Sequence, residues 1–105
     1  MAKKQRTSAE RLRTLMNVGP AMERDLTVLG IRNIAELASA DASDLFHRLE
    51  RHSRSRVDPC VYDTFCAIIH EAKTGEKTPW YAWTEGRKRR ERSGELELHR
   101  ASRPA

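Results

Sequence analysis

The sequence predicts an all-α protein, a compact bundle of about five short helices. Three observations carry that expectation. Apolar residues recur at three- and four-residue spacing in several separate stretches, which is the period of one helix face. Helix-opening residues stand just ahead of those stretches, as at Asn33, Asp41 and Asp58-Pro59. No apolar/polar alternation longer than three positions occurs, so no half-buried strand is expected.

Taken in order, residues 1–7 carry Lys3, Lys4 and Arg6 and nothing to bury, so a disordered basic N-terminus is expected there. Ser8 is placed to cap a first helix over about 9–16, with Leu12, Leu15 and Met16 on its apolar face. Asn17-Val18-Gly19-Pro20 then breaks the pattern. Asn and Gly tolerate positive φ, and proline suits the first position of a helix, where its missing N–H would have no partner. A second helix over about 20–29 shows Met22, Leu26 and Leu29 on one side, and Gly30 stands where a left-handed C-cap belongs. A short third helix lies within 31–38, capped by Asn33, with Ile34, Leu37 and Ala38 facing inward.

Asp41 opens a fourth helix over about 42–52, with Asp44 three residues on and Leu45, Phe46 and Leu49 as its apolar edge. Asp58-Pro59 opens a fifth, about 59–73, the most apolar in the chain. Val61, Phe65, Ile68 and Ala72 form one row and Tyr62, Cys66 and Ile69 the next, a stripe wide enough for the centre of the core. Gly75 ends it. Thr78-Pro79 repeats the opening device before a brief turn holding Trp80, Tyr81 and Trp83. From Glu85 onward no face is available for burial, so residues 85–105 are expected to form a flexible basic tail after a folded 8–84 domain.

At 105 residues the chain holds one domain with a modest core. No apolar run approaches the roughly 20 residues of a membrane span, and no secretion signal is visible, so a cytoplasmic location is expected. The net charge is +5, but residues 1–7 and 85–105 contribute +3 each while 8–84 carries ten basic and eleven acidic side chains. Basicity therefore belongs to the two ends. Cys60 and Cys66, six apart on one helix, would have Cα atoms about 9 Å apart, beyond the roughly 7 Å limit of a disulfide, and are expected to be free thiols.

The bend between the first two helices is the leading candidate site. It opens onto a helix N-terminus, whose bare N–H groups and partial positive charge can hold a phosphate oxygen. Leu15 to Leu26 resembles the helix-hairpin-helix motif of DNA repair and replication proteins, in which a Gly-hydrophobic-Gly turn binds nucleic-acid phosphates through backbone amides. The segment Leu29-Gly30-Ile31-Arg32-Asn33-Ile34-Ala35-Glu36-Leu37-Ala38 is similar to what often follows such hairpins. Asp58-Pro59-Cys60-Val61-Tyr62-Asp63 and Trp80-Tyr81-Ala82-Trp83 extend the resemblance to a small bacterial family of pathogenicity-locus, or mitomycin resistance, proteins, over residues 8–84.

That resemblance implies a helix-hairpin-helix, SAM-domain-like fold and non-enzymatic, sequence-independent binding of the DNA backbone, in DNA repair or damage resistance. The amides of Val18, Gly19, Ala21 and Met22 would meet successive phosphates, with Asn17 as the turn residue of the site and Arg24 assisting. The alternative is a SAM-like protein-interaction module that binds no nucleic acid. Three features depart from the motif. Asn17 replaces the first turn glycine, Ala21 stands where a basic residue is common, and Glu23 and Asp25 put negative charge on the second helix, so weak binding is expected.

Arg48, Arg51, Arg54 and Arg56, with His47 and His52, form an auxiliary basic patch at the end of the fourth helix, equally well read as a solvated face. Arg87-Lys88-Arg89-Arg90 with Arg92 reads as a generic polybasic tail. Trp80, Tyr81 and Trp83 read as an anchor to the core rather than a base-stacking surface. Cys66 and His70 share a helix face, but the pair falls short of a zinc ligand set, and Cys60 lies about 120° around the helix. No catalytic constellation, metal site or cofactor is expected, and the partners expected are DNA or another protein, with no membrane.

Overall fold

A computed structural model describes residues 9–99. A 3-10 helix, Ala9–Thr14, is followed by α1 (Pro20–Val28), α2 (Ile34–Ala38), α3 (Ala42–Ser53) and α4 (Pro59–Thr74). A second 3-10 turn, Trp80–Trp83, runs directly into α5 (Thr84–Ser93). No strand occurs among the described residues. The fold is the all-helical bundle that the apolar spacing predicts. Residues 1–7 and the capping role of Ser8 lie outside the described residues, as do positions 100–105.

The opening segment winds more tightly than expected. Leu15 N–H donates to the Leu12 carbonyl at 3.1 Å and Val18 N–H to that of Leu15 at 3.2 Å. Three residues per turn stack side chains i and i+3 on one line. Leu12, Leu15 and Val18 accordingly share the buried face, while Met16 is 41% exposed. The expected α-helix, with Met16 on its apolar side, is corrected to this geometry.

The caps follow the sequence closely. Asn33 accepts from Glu36 N–H, Asp41 from Asp44 N–H and Asp58 from Cys60 N–H. At the end of α1, Ile31 N–H reaches the Leu26 carbonyl at 2.8 Å and Gly30 N–H that of Thr27 at 3.0 Å, with Gly30 at φ 83°. These two bonds make a Schellman ending, and Leu26 and Ile31 are both buried in the same core cluster. Thr78 is the exception. Its side chain caps no helix but accepts the Trp83 indole N–H at 2.9 Å.

α4 is the central element. It packs against α2, α3, the second 3-10 turn and α5, and buries Phe65, Ala67 and Ile68 almost completely. Its polar inward residues tie down distant chain. The fully buried Asp63 accepts from Arg87 Nε at 3.1 Å, from a second Arg87 nitrogen at 3.2 Å and from the Thr84 hydroxyl at 2.9 Å. On α3 the buried Glu50 accepts the Val57 N–H at 2.8 Å and lies 2.6 Å from His99 Nδ1. His47 Nε2 lies 2.8 Å from the Glu97 carbonyl oxygen; that oxygen can only accept, so Nε2 donates.

These contacts overturn the flexible tail from Glu85 as far as residue 99. α5 is docked by the Asp63–Arg87 pair, and beyond it Leu96 and Leu98 enter the core at 6% and 1% exposure. The sequence conceals this because the inward face of α5 is charged. A charged face can dock only where an opposite charge already waits in the interior.

Candidate functional site

The bend at 15–22 is held from behind. Asn17 adopts φ 76°, the left-handed conformation its side chain tolerates, and its amide Nδ2 donates to the Thr78 carbonyl at 2.9 Å. The Met16 N–H is taken by the buried carboxylate of Glu71 at 2.9 Å, and that carboxylate also holds Lys77 Nζ at 2.6 Å. The Val18 N–H is engaged by Leu15, and the Val18 side chain is buried. Of the amides read as phosphate donors, Val18 is therefore corrected: its N–H faces the protein's own turn.

Three others remain available. Gly19 caps α1 in extended conformation, φ −105°, without any side-chain cap, and its carbonyl accepts the Glu23 N–H at 2.9 Å. Among the described residues no protein acceptor engages the N–H groups of Gly19, Ala21 or Met22. A Cβ built on Gly19 would meet nothing within 4 Å, so the mouth of the bend is open. Asn17 contributes through its side chain and its turn conformation. Arg24 is exposed on α1.

The acidic residues of α1 are partly accounted for. Glu23 is paired with Arg13 at 2.8 Å, so its charge is locally balanced. Asp25 is partly sheltered, and burial pushes its carboxyl above the usual 3.8, opposed by the nearby Arg24.

The auxiliary basic patch divides. Arg48 is half-buried and structural: one guanidinium nitrogen donates to the Leu29 carbonyl at 2.6 Å and another to Asp44 at 3.4 Å. It closes the C-terminal end of α1, about 13 Å along the helix from the bend. His47 is buried rather than part of a surface cluster. Arg51, Arg54, Arg56 and His52 stay exposed. Arg48 and the bend thus mark opposite ends of α1.

The aromatic anchor also divides. Trp83 is half-buried, stacked at a tilt on His70 with ring centroids 5.3 Å apart. Trp80 and Tyr81 are not anchored: they are 38% and 66% exposed and meet edge to face at 5.7 Å. Trp83 and Cys66 together border two shallow cavities of about 230 and 200 Å³, each below the roughly 300–1,000 Å³ of a typical small-molecule pocket. Cys60 and Cys66 are free thiols, and burial pushes Cys66 up to about 11. His70 Nε2 lies 2.6 Å from a Glu76 carboxylate oxygen. No three His, Cys, Asp or Glu side chains among the described residues gather as a metal site. No helix among them is long and apolar enough to cross a membrane.

A family model described as "Pathogenicity locus", Cdd1, matches residues 5–89. The chain belongs to the Cdd1 family. It is also 36% identical over 78 residues to the mitomycin resistance protein McrB of Streptomyces lavendulae, covering 74% of each chain. No solved structure matches this Cdd1 chain. The matched region takes in the bend, α1–α4, the aromatic turn and the first half of α5, but ends before Leu96 and Leu98. What sequence reasoning missed in the Cdd1 chain are the buried carboxylates Glu50, Asp63 and Glu71. An acidic residue inside an otherwise apolar helical row, as Asp63 is between Tyr62 and Phe65, is the signal that could have found one of them.

Proposed function

We propose that this Cdd1-family protein is a non-enzymatic, sequence-independent binder of the DNA backbone. In this reading the bend acts as a helix-hairpin-helix turn, with the amides of Gly19, Ala21 and Met22 received by phosphate oxygens. The observation that supports it best is a contrast between helices. α2, α3 and α4 each begin with a side chain that accepts one first-turn N–H, whereas α1 begins at a bare glycine with open space in front of it. Unoccupied amides at a helix start favour an anion.

The overall charge of +5 would add a non-specific attraction to any polyanion. The name of the Streptomyces relative, a mitomycin resistance protein, supports a role in resistance to damage. Arg24 assists at the bend, and Arg51, Arg54 and Arg56 contribute at longer range.

Gly19→Asp tests the reading. Its backbone is extended and its surroundings empty, so aspartate fits and caps α1 with its own carboxylate, at a stability gain of a few tenths of a kcal/mol. Affinity for a 20-base-pair duplex, measured by fluorescence anisotropy on the full chain, should fall about ten-fold or more, the scale of hydrogen bonds to a charged group. A more stable protein that binds less DNA is the expected result. Unchanged affinity would exclude the bend and leave the protein-interaction module as the better reading.

A further inference from the structure

The polybasic run 87–92 is divided by its helix into two unlike faces. At about 100° per residue, Arg87, Arg90 and Glu91 share one side of α5. They are all engaged: Arg87 with Asp63 and Glu91, and Arg90 with the Tyr62 hydroxyl at 2.8 Å. Lys88, Arg89 and Arg92 fall on the opposite side, exposed and in contact with no carboxylate among the described residues. The exposed Trp80 and Tyr81 lie in the 3-10 turn that precedes this outward arc. Glu85 is the one carboxylate along it, in the first turn where the helix dipole favours it.

From Tyr81 to Arg92 the segment rises about 18 Å, with two exposed rings at one end and, at the other, three cations that pair with no carboxylate among the described residues. The ring end adjoins the bend, since Asn17 is hydrogen-bonded to the Thr78 carbonyl two residues before Trp80. Aromatic faces beside a line of positive charge are what a single strand requires. Its unpaired bases stack on the rings while its phosphates follow the cations. A duplex keeps its bases stacked inside and can use only the cations.

We infer that the exposed surface of the 80–92 segment is a track for single-stranded DNA, with Trp80 and Tyr81 stacking unpaired bases and Lys88, Arg89 and Arg92 holding the following phosphates. The inference takes its class of ligand from the DNA reading above, but its residues are separate from the bend. It assigns this protein to strand ends, gaps or frayed sites, where a single strand leaves a duplex.

The test compares the full chain on a 12-nucleotide oligothymidylate and on a 12-base-pair duplex, by anisotropy across several salt concentrations. Trp80→Ala/Tyr81→Ala should weaken oligothymidylate binding about ten-fold or more and leave duplex binding within about two-fold. Trp80→Phe/Tyr81→Phe, which keeps the rings, should retain the wild-type preference. Lys88→Gln/Arg89→Gln/Arg92→Gln should flatten the log-log salt dependence on the single strand by about two. All these positions are exposed, so an unchanged circular dichroism spectrum is the control for folding. The inference is overturned if the alanine pair leaves oligothymidylate binding unchanged, or weakens both DNA forms equally. Gly19→Asp separates the two proposals. If it affects neither ligand while the aromatic pair still matters, the bend fails and the track stands, and the converse pattern removes the track alone.

Discussion

Asn17 combines a conformational and a bonding role in one side chain. Its φ of 76° would cost an ordinary L-residue about 1–2 kcal/mol, and its amide is bonded to the Thr78 carbonyl. Asn17→Ala should therefore destabilise the protein by about 2 kcal/mol in urea denaturation, whereas Asn17→Gly should lose only about 1 kcal/mol, because glycine relieves the backbone cost. Two neighbouring residues on α4 set the alkaline limit. Burial pushes Cys66 up to about 11 and Tyr62 up to about 12. Both hold their proton more tightly in the folded state than in the unfolded one. Their contribution is thus complete below about pH 9 and declines as pH rises through 11 to 12. Thermal melts at pH 8, 10 and 11.5 should show it, with alkylation of Cys66 by iodoacetamide accelerating only toward pH 11. A flat melting temperature across that range would contradict the burial of these groups.

Among the elements, α5 depends most on a single contact. Its mean hydropathy is strongly polar and it buries no residue, yet it lies against α4 because Arg87, 11% exposed, meets a carboxylate that has no exposure at all. Removing one partner of such a pair costs about 3–5 kcal/mol, because the other charge stays buried, here with only the partly exposed Glu91 beside it. Asp63→Ala should show a loss of that size in urea denaturation, and amide hydrogens in 84–93 should lose more exchange protection than those of α2. The sequence reading of a tail was sound on composition and failed on pairing, since periodicity within 84–93 cannot reveal a carboxylate 24 residues upstream. The caps were legible for the opposite reason. Asn33, Asp41 and Asp58 each act within three residues of themselves, and a spacing that short survives in the linear order.

For the whole molecule, closure depends on the segment after α5. Leu96 and Leu98 complete the core, and His99 faces the buried Glu50 across a 2.6 Å contact. Ending the chain after Gly94 removes two buried leucines, each worth about 2–5 kcal/mol, and takes away the His99 contact with Glu50. Such a loss is comparable to the whole stability of a small domain, about 5–15 kcal/mol, so the truncated chain should be largely unfolded at 37 °C by circular dichroism. An intact cooperative melt from the truncated protein would show that the core closes without these residues. The placement of charge also belongs to this scale. Arg48, counted with a surface patch in the sequence, works as an internal clamp between α3 and the end of α1. Lys88, Arg89 and Arg92 work at the surface instead.

What the sequence determined by itself was governed by short range: the helical class, the caps at Asn33, Asp41 and Asp58, the left-handed positions Asn17 and Gly30, and the location of the bend. Helix period and capping act over three or four residues, so they can be read without knowing what lies across the core. Only the tertiary structure decided which charges are inside. It left the amides of Gly19, Ala21 and Met22 bare while closing those of Met16 and Val18, and it separated Trp83 from the exposed Trp80 and Tyr81. Each of those outcomes depends on a partner many residues away, and burial of a polar group is settled by whether such a partner arrives.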